Sequence, residues 1–470
     1  MKKQNKFTKI VATIGPATET EEIIADLIKA GMNVARFNTK HGTPEWHEER
    51  IKRVRKVAKE MNVPIAVLLD LQGPEIRINL PGEQSFDLKA GQKAIFTSDD
   101  SRSDSNLVFI PQNVVETLEV GNLVLLDDGV CEFEIVKKEK KHLVAKAFSD
   151  FTVNHRKTMN TPGVIVEMPS LIENDYIQLD GAIRTGVDYV GLSFVRNKED
   201  IKILRRELKK RNLRADIISK IENQAALDNI DEIIEASDAI MVARGDLAVE
   251  VPFEQLAFWQ KLLIHKCREA SKPVITATQM LKSMVDHPRP TRAEVTDIAN
   301  AVYDCTSAVM LSEETTIGKY PVKAVETQAK IVAYNENMME CQVADWMESD
   351  STACITHAAV SLLEHRTDEI DAIVCLTETG FTAKKLARFR PPVVIKAITS
   401  NEVTCNKLAL LYGVDPHVVK LPAGKLETPQ NLVKKLVKQE IIKPKQTVLV
   451  ICGTIWREPG LTNILALVKS

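Results

Sequence analysis

The chain has 470 residues, too many for one compact domain, and at ~150 residues per domain it should hold two to four. It is 44% hydrophobic and 27% charged with a formal net charge of -2, which excludes a basic nucleic-acid-binding surface as its main business. The opening MKKQNKFTKIVATIGPAT lacks an apolar core long enough for a secretory signal, and no segment approaches the ~20 apolar residues of a membrane span, so a cytoplasmic protein with no membrane partner is expected.

In chain order, apolar runs of strand length fall at 10–15, 33–38, 66–70, 189–194, 216–222, 239–244, 273–280 and 308–314, and nearly every one is followed by apolar residues at helical spacing. Eight such units predict a closed parallel (β/α)8 barrel, a TIM barrel; an open doubly wound sheet is the alternative, and the chain shows no glycine fingerprint for it. The third and fourth units are far apart. Between them, residues 78–160 alternate like antiparallel β (FDLKAG, NLVLLDDG, CEFEIVKKE, HLVAKAF) and are expected to form a small inserted β barrel acting as a lid. The barrel would then take residues 1–77 and 161–342. A polar stretch at 344–352 reads as a linker, and 343–470 as a C-terminal α/β domain.

The eight cysteines are scattered with no CxxC, and the histidines show no HExxH, so neither disulfides nor a zinc site is indicated. Barrel chemistry gathers at the C-terminal ends of strands. There the sequence places Thr13; Arg36, Asn38 and Lys40; Asp70; Lys220 and Glu222; Arg244 and Asp246; Thr278; and Ser312, Glu313 and Glu314. In ISKIEN, Lys220 and Glu222 point the same way from one strand. Arg36 and Lys220 suit phosphate, and Glu222 with Asp246 could hold Mg²⁺ or Mn²⁺; a plain structural ion pair between Lys220 and Glu222 is the bland alternative.

TKIVATIGPAT, GMNVARFN, GPEIR, ISKIEN, MVARGDLAVE, ATQML, PRPTRAE and LSEET, in that order along the chain, resemble the successive signatures of pyruvate kinase. The resemblance implies phosphoryl transfer from phosphoenolpyruvate to ADP, giving ATP and pyruvate. By motif, Lys220 would stabilise the transferring phosphoryl group and the enolate, Glu222 and Asp246 would bind the divalent ion, and Arg36 would clamp the phosphoryl group. Backbone N–H groups at Gly245 and Asp246 would take the substrate carboxylate, and Thr278 would stand near the methylene to be protonated. Arg77, Pro16, His41 and Lys157 would meet the nucleotide. Thr377, Thr379, Gly380 and Thr382 of TETGFTA resemble a phosphate turn for a sugar-phosphate effector, which Glu378 argues against, and 456–463 resembles a shortened effector loop. A homotetramer is implied by the family alone.

The chain departs from the pattern in RFNTKHG, where Lys40 stands at a serine that normally helps Asn38, Asp70 and a carbonyl after Asp70, that of Leu71, to bind K⁺. Lys40 is therefore expected to replace the ion, its ammonium beside Asp70, and to make activity independent of K⁺; Glu75, which accompanies K⁺ dependence, argues the other way. Leu71, Gln72, Glu313 and Ile317 depart on the nucleotide side. A lyase of the same barrel class and a catalytically weakened scaffold are the competing readings.

Overall fold

The structure, a computed structural model, describes residues 6–339, 346, 350–421, 424–425, 428–456 and 462–470. Its centre is a closed barrel of eight parallel strands: Lys9–Thr13, Val34–Asn38, Ala66–Asp70, Tyr189–Leu192, Asp216–Ile221, Ala239–Ala243, Val274–Ala277 and Ala308–Leu311. The last strand pairs back onto the first, Lys9 with Ala308 through Ala12 with Leu311. Several of these strands are buried at every position, as strands covered on one face by helices and on the other by the barrel interior must be. The apolar runs at 189–194, 273–280 and 308–314 overshoot their strands, because the residues beyond leave the ladder to build the mouth. Phe194, Thr278 and Gln279 do so with positive φ of 54°, 69° and 56°.

Val11, Val34, Leu68, Ile218, Met241, Ile275 and Met310 fill the barrel interior, and two residues of the C-terminal domain, Ala409 and Leu410, complete that cluster. Leu410 thus plugs the end of the barrel opposite the mouth. Around it, Lys407 pairs with Asp216 at 2.5 Å, Tyr189 donates to the Lys407 carbonyl at 2.8 Å, and Gly413 N–H donates to Phe7 O at 3.0 Å. Leu410→Ala would open a cavity against strands that cannot collapse inward, and should cost about 2–5 kcal/mol, read as a lower denaturant midpoint.

The insertion has its own core, with Phe96, Phe133, Ile135 and Leu143 fully buried. Its expected barrel is instead an open sheet in the order Met159–Asn160, Leu123–Leu126, Cys131–Glu139, His142–Ala147, Lys93–Thr97, Leu107–Phe109, with Phe86–Leu88 and Phe151–Val153 as a separate pair. The expectation of purely antiparallel pairing also fails at Lys93–Thr97 and Leu107–Phe109, which run parallel. The polar run 98–106 carries the chain back before the second strand starts, and a short helix, Gln112–Thr117, follows. The turn Asp127–Gly129 reaches the barrel: a Cβ on Gly129 would lie 3.7 Å from Val249, and Asn160 donates to Glu250 at 2.9 Å.

The C-terminal sheet orders Val414–Val418, Val394–Thr399, Ala372–Leu376, Thr447–Cys452 and Ile464–Lys469, the last antiparallel. Most of the linker expected at 344–352 lies outside the described residues, and by Ser351 the helix Ser351–Arg366 has begun. Residues 457–461 of the resembled effector loop also lie outside them. Among the described residues no helix is long and apolar enough to cross a membrane.

Candidate active site

Arg36, near the end of the second strand, directs Nε and Nη2 to Oδ2 of Asp70 at 2.7 and 2.6 Å, and Nη1 to the Thr13 hydroxyl at 2.9 Å. Asp70 is buried, which alone would raise its pKa, but Lys220 and Arg36 outweigh burial and keep it ionised below its ordinary range. Glycine at 191 is required here, since a Cβ would stand 2.7 Å from Asp70 Oδ1.

Lys220 Nζ donates to Ser193 Oγ at 2.8 Å and lies 2.9 Å from Glu222 Oε1 and 3.5 Å from Asp70 Oδ1. Burial would strip its proton; the charges of Asp70, Glu222 and Asp246 hold it above the usual lysine range instead. The ammonium is thus permanently charged. Glu222 accepts from Phe194 N–H at 2.7 Å through Oε2, which fixes its orientation, while buried Oε1 makes no hydrogen bond despite the nearby ammonium. Asp246, in the first turn of the short helix Arg244–Glu250 that follows the sixth strand, has its pKa raised by burial and then by the charge of Glu222. Two carboxylates opposing each other in one space, one with an oxygen that has no hydrogen bond and only the Lys220 charge beside it, are what a divalent cation would relieve, so the pair fits Mg²⁺ or Mn²⁺. Mg²⁺ takes one or two protein carboxylates and fills its shell with water and substrate oxygens, which is the number this pair offers.

Lys40 does not turn into solvent. Its side chain is 26% exposed and its Nζ lies 2.9 Å from Oε1 of Glu75, itself only 7% exposed. The expected neighbour was Asp70; that carboxylate is already held by Arg36 and Lys220, and Glu75 takes the ammonium instead. Glu75 Oε2 receives Arg77 Nε and Nη2 at 2.9 and 2.7 Å, and Arg77 Nη1 reaches Arg156 O at 2.8 Å. Burial works against ionisation of Glu75, and Lys40 and then Arg77 reverse it, leaving the pKa lowered. Asn38 accepts from Lys40 N–H at 3.1 Å, and Leu71 O accepts from Ser193 Oγ at 2.7 Å.

Gly245 and Thr278 meet just beyond the ends of the adjacent sixth and seventh strands: a Cβ on Gly245 would sit 3.6 Å from Thr278 Oγ1, which donates to Ala277 O at 2.7 Å. On the expected nucleotide side, Pro16 and His41 are exposed, Arg77 is 44% exposed and Lys157 pairs with Asp127 at 2.8 Å. The turn expected to hold an effector is different. Thr377 accepts from Gly380 N–H at 3.0 Å, Thr382 meets the hydroxyl of Thr462 at 3.2 Å, and Glu378 accepts from Ser400 at 2.8 Å, leaving Thr379 exposed. These hydroxyls are engaged within the domain.

Sequence reasoning omitted Ser193, at the end of the fourth strand, although it links Lys220 to Leu71 O. The same rule that found the other strand-end residues would have found it in YVGLSF. It also gave Arg244 no role.

Residues 5–325 match the family described as pyruvate kinase, barrel domain, and residues 353–468 match pyruvate kinase, alpha/beta domain. The chain is 40% identical over 466 residues to the pyruvate kinase of Bacillus licheniformis, covering 97% of this chain and 79% of that protein. It is 40% identical over 469 residues to that of Geobacillus stearothermophilus, with the same coverage. A crystal structure of a pyruvate kinase from Cryptosporidium parvum superposes with a TM-score of 0.91 at 32% identity, covering 99% of this chain and 96% of that one.

Proposed function

The chain belongs to the pyruvate kinase family, a phosphotransferase moving the phosphoryl group of phosphoenolpyruvate to ADP, and on that premise we propose that the cluster around Lys220 and Arg36 performs the transfer. The family generally uses Mg²⁺ and K⁺. The observation that carries the proposal is one buried ammonium set between Asp70 and Glu222, beside a guanidinium already fixed on two partners.

Arg36, its rotamer set by Asp70 and Thr13, presents charge to the phosphoryl oxygens without reorganising during the reaction. Lys220 offsets the negative charge that develops as the phosphoryl group leaves and the enolate forms. Glu222 and Asp246 would hold Mg²⁺ or Mn²⁺, which when bound supplies Lewis-acid charge to the substrate oxygens. N–H groups at Gly245 and Asp246 would receive the substrate carboxylate, and Thr278, beside Gly245, would pass a proton to the methylene carbon with water as its source. Arg77, Pro16, His41 and Lys157 would receive ADP as the insertion closes, Arg77 exchanging its hold on Glu75 for nucleotide phosphate.

Lys40 stands in for the monovalent cation on this reading. Its ammonium neutralises Glu75 and also bears on Asp70 and Asp246, while the carbonyl of Leu71, a ligand expected for K⁺, already accepts from Ser193. The test of the activity is ATP formation from phosphoenolpyruvate and ADP with Mg²⁺, read through pyruvate reduction by lactate dehydrogenase; no signal would favour the lyase or the weakened scaffold.

A further inference from the structure

Arg244 opens the helix Arg244–Glu250, directly before Gly245 and Asp246, yet its side chain turns to the end of the neighbouring strand. Its Nε donates to Ala277 O at 3.1 Å and Nη2 to Thr278 O at 2.7 Å. Nη1 donates to Asp297 Oδ1 at 2.6 Å and Gln260 Oε1 at 3.2 Å, and the side chain is 11% exposed. The guanidinium is therefore anchored on one side and grips two backbone carbonyls on the other.

Those carbonyls flank a costly piece of backbone. Thr278 and Gln279 both lie at positive φ, and for a β-branched residue such as threonine that region is a true outlier. Such a conformation persists only where its surroundings over-determine it, and strain of this kind concentrates at functional sites. Here the surroundings include a charged, largely covered donor on the carbonyls of Ala277 and Thr278. The Thr278 hydroxyl shares Ala277 O with Arg244 Nε. A guanidinium drawing electron density from that oxygen loosens its hold on the hydroxyl proton.

We propose that Arg244, anchored by Asp297, is the positioning residue that keeps the Thr278 hydroxyl aimed at the substrate's methylene carbon. The proposal rests on the reading of Thr278 given above. In the step concerned, the electron pair of the enolate C=C bond takes a proton at the methylene carbon, passed from the hydroxyl. The C–O⁻ becomes a carbonyl, and water returns a proton to the hydroxyl.

Two half-reactions separate positioning from folding: exchange of pyruvate methyl hydrogens with D₂O in the presence of ATP and Mg²⁺, followed by NMR, and single-turnover ATP formation. Arg244→Ala should slow exchange by roughly 100-fold, the scale of a ~1 Å misplacement, while ATP formation and KM for phosphoenolpyruvate change less than about threefold. Methylguanidine should restore part of the exchange. Asp297→Asn should show the same split at roughly tenfold, and carries the test alone if Arg244→Ala does not fold. Equal loss of both half-reactions, or unchanged exchange, overturns the proposal. Thr278→Ala distinguishes its foundation: if that variant loses exchange but the Arg244 and Asp297 variants do not, only the role of Arg244 falls, whereas exchange intact in Thr278→Ala removes the reading of Thr278 beneath it.

Discussion

Lys220→Met should lower kcat by about 10³-fold or more with the fold intact, the scale seen when a preorganised cation or donor facing transition-state charge is removed. The ammonium lies 2.9 Å from Glu222 and 3.5 Å from Asp70, buried, and those two carboxylates with Asp246 keep it charged. Methionine preserves most of the volume and removes only the charge and the bond to Ser193. Arginine is no substitute, since a forked, planar head cannot occupy the place of a compact point charge. The prediction also discriminates between the catalytic and structural readings of the pair. If Lys220 serves the reaction and Glu222 with Asp246 serve a cation, deleting the ammonium takes a competing positive charge away from the carboxylates. Mn²⁺ binding followed by electron paramagnetic resonance should therefore stay as tight or become tighter while turnover collapses. Turnover within about tenfold of the parent, with loss of thermal stability, would return Lys220–Glu222 to a structural ion pair.

The barrel was legible because its signal is local and repeated: each strand is a short apolar run buried on both faces, and each is followed by a helical period. The strand-end residues were legible for the same reason, as the period-2 geometry of ISKIEN throws Lys220 and Glu222 to one side whatever the rest of the chain does. Pairings that depend on distant partners were not legible. Nothing local to residue 40 says that its ammonium meets Glu75, because the preference is decided by Asp70, on the third strand, being already taken by Arg36 and by Lys220 from the fifth. The parallel strand in the insertion was hidden likewise, since pairing direction is set by how residues 98–106 return over the sheet. Leu410 reads as one apolar residue in LALLYG, and only the closed barrel reveals that it is a plug.

If Lys40 stands in for the monovalent cation as proposed, Lys40→Ser should create a requirement for K⁺. In the parent, Lys40 neutralises Glu75 at 2.9 Å, and Glu75 in turn holds two nitrogens of Arg77, so a single ammonium sets the charge on which Arg77 rests. It also offsets part of the negative field at Asp70 and Asp246. Truncation to serine leaves Glu75 paired with Arg77 alone, which strengthens the hold on the arginine proposed above to pass to ADP. Two unit charges ~4 Å apart at an effective dielectric near 20 interact by about 4 kcal/mol, so even after solvent and side-chain relaxation a loss of roughly 10- to 100-fold in turnover is expected in K⁺-free buffer. The serine restores a small oxygen ligand beside Asn38 and Asp70, and KCl should therefore recover most of that loss, with KM for ADP falling as K⁺ rises. The parent, assayed in tetramethylammonium buffer, should turn over at the same rate with and without KCl. A parent that fails without KCl and recovers with it would show that the ammonium does not serve as the cation, and the pairing of Lys40 with Glu75 would then be only a link between the second strand's loop and the base of the insertion.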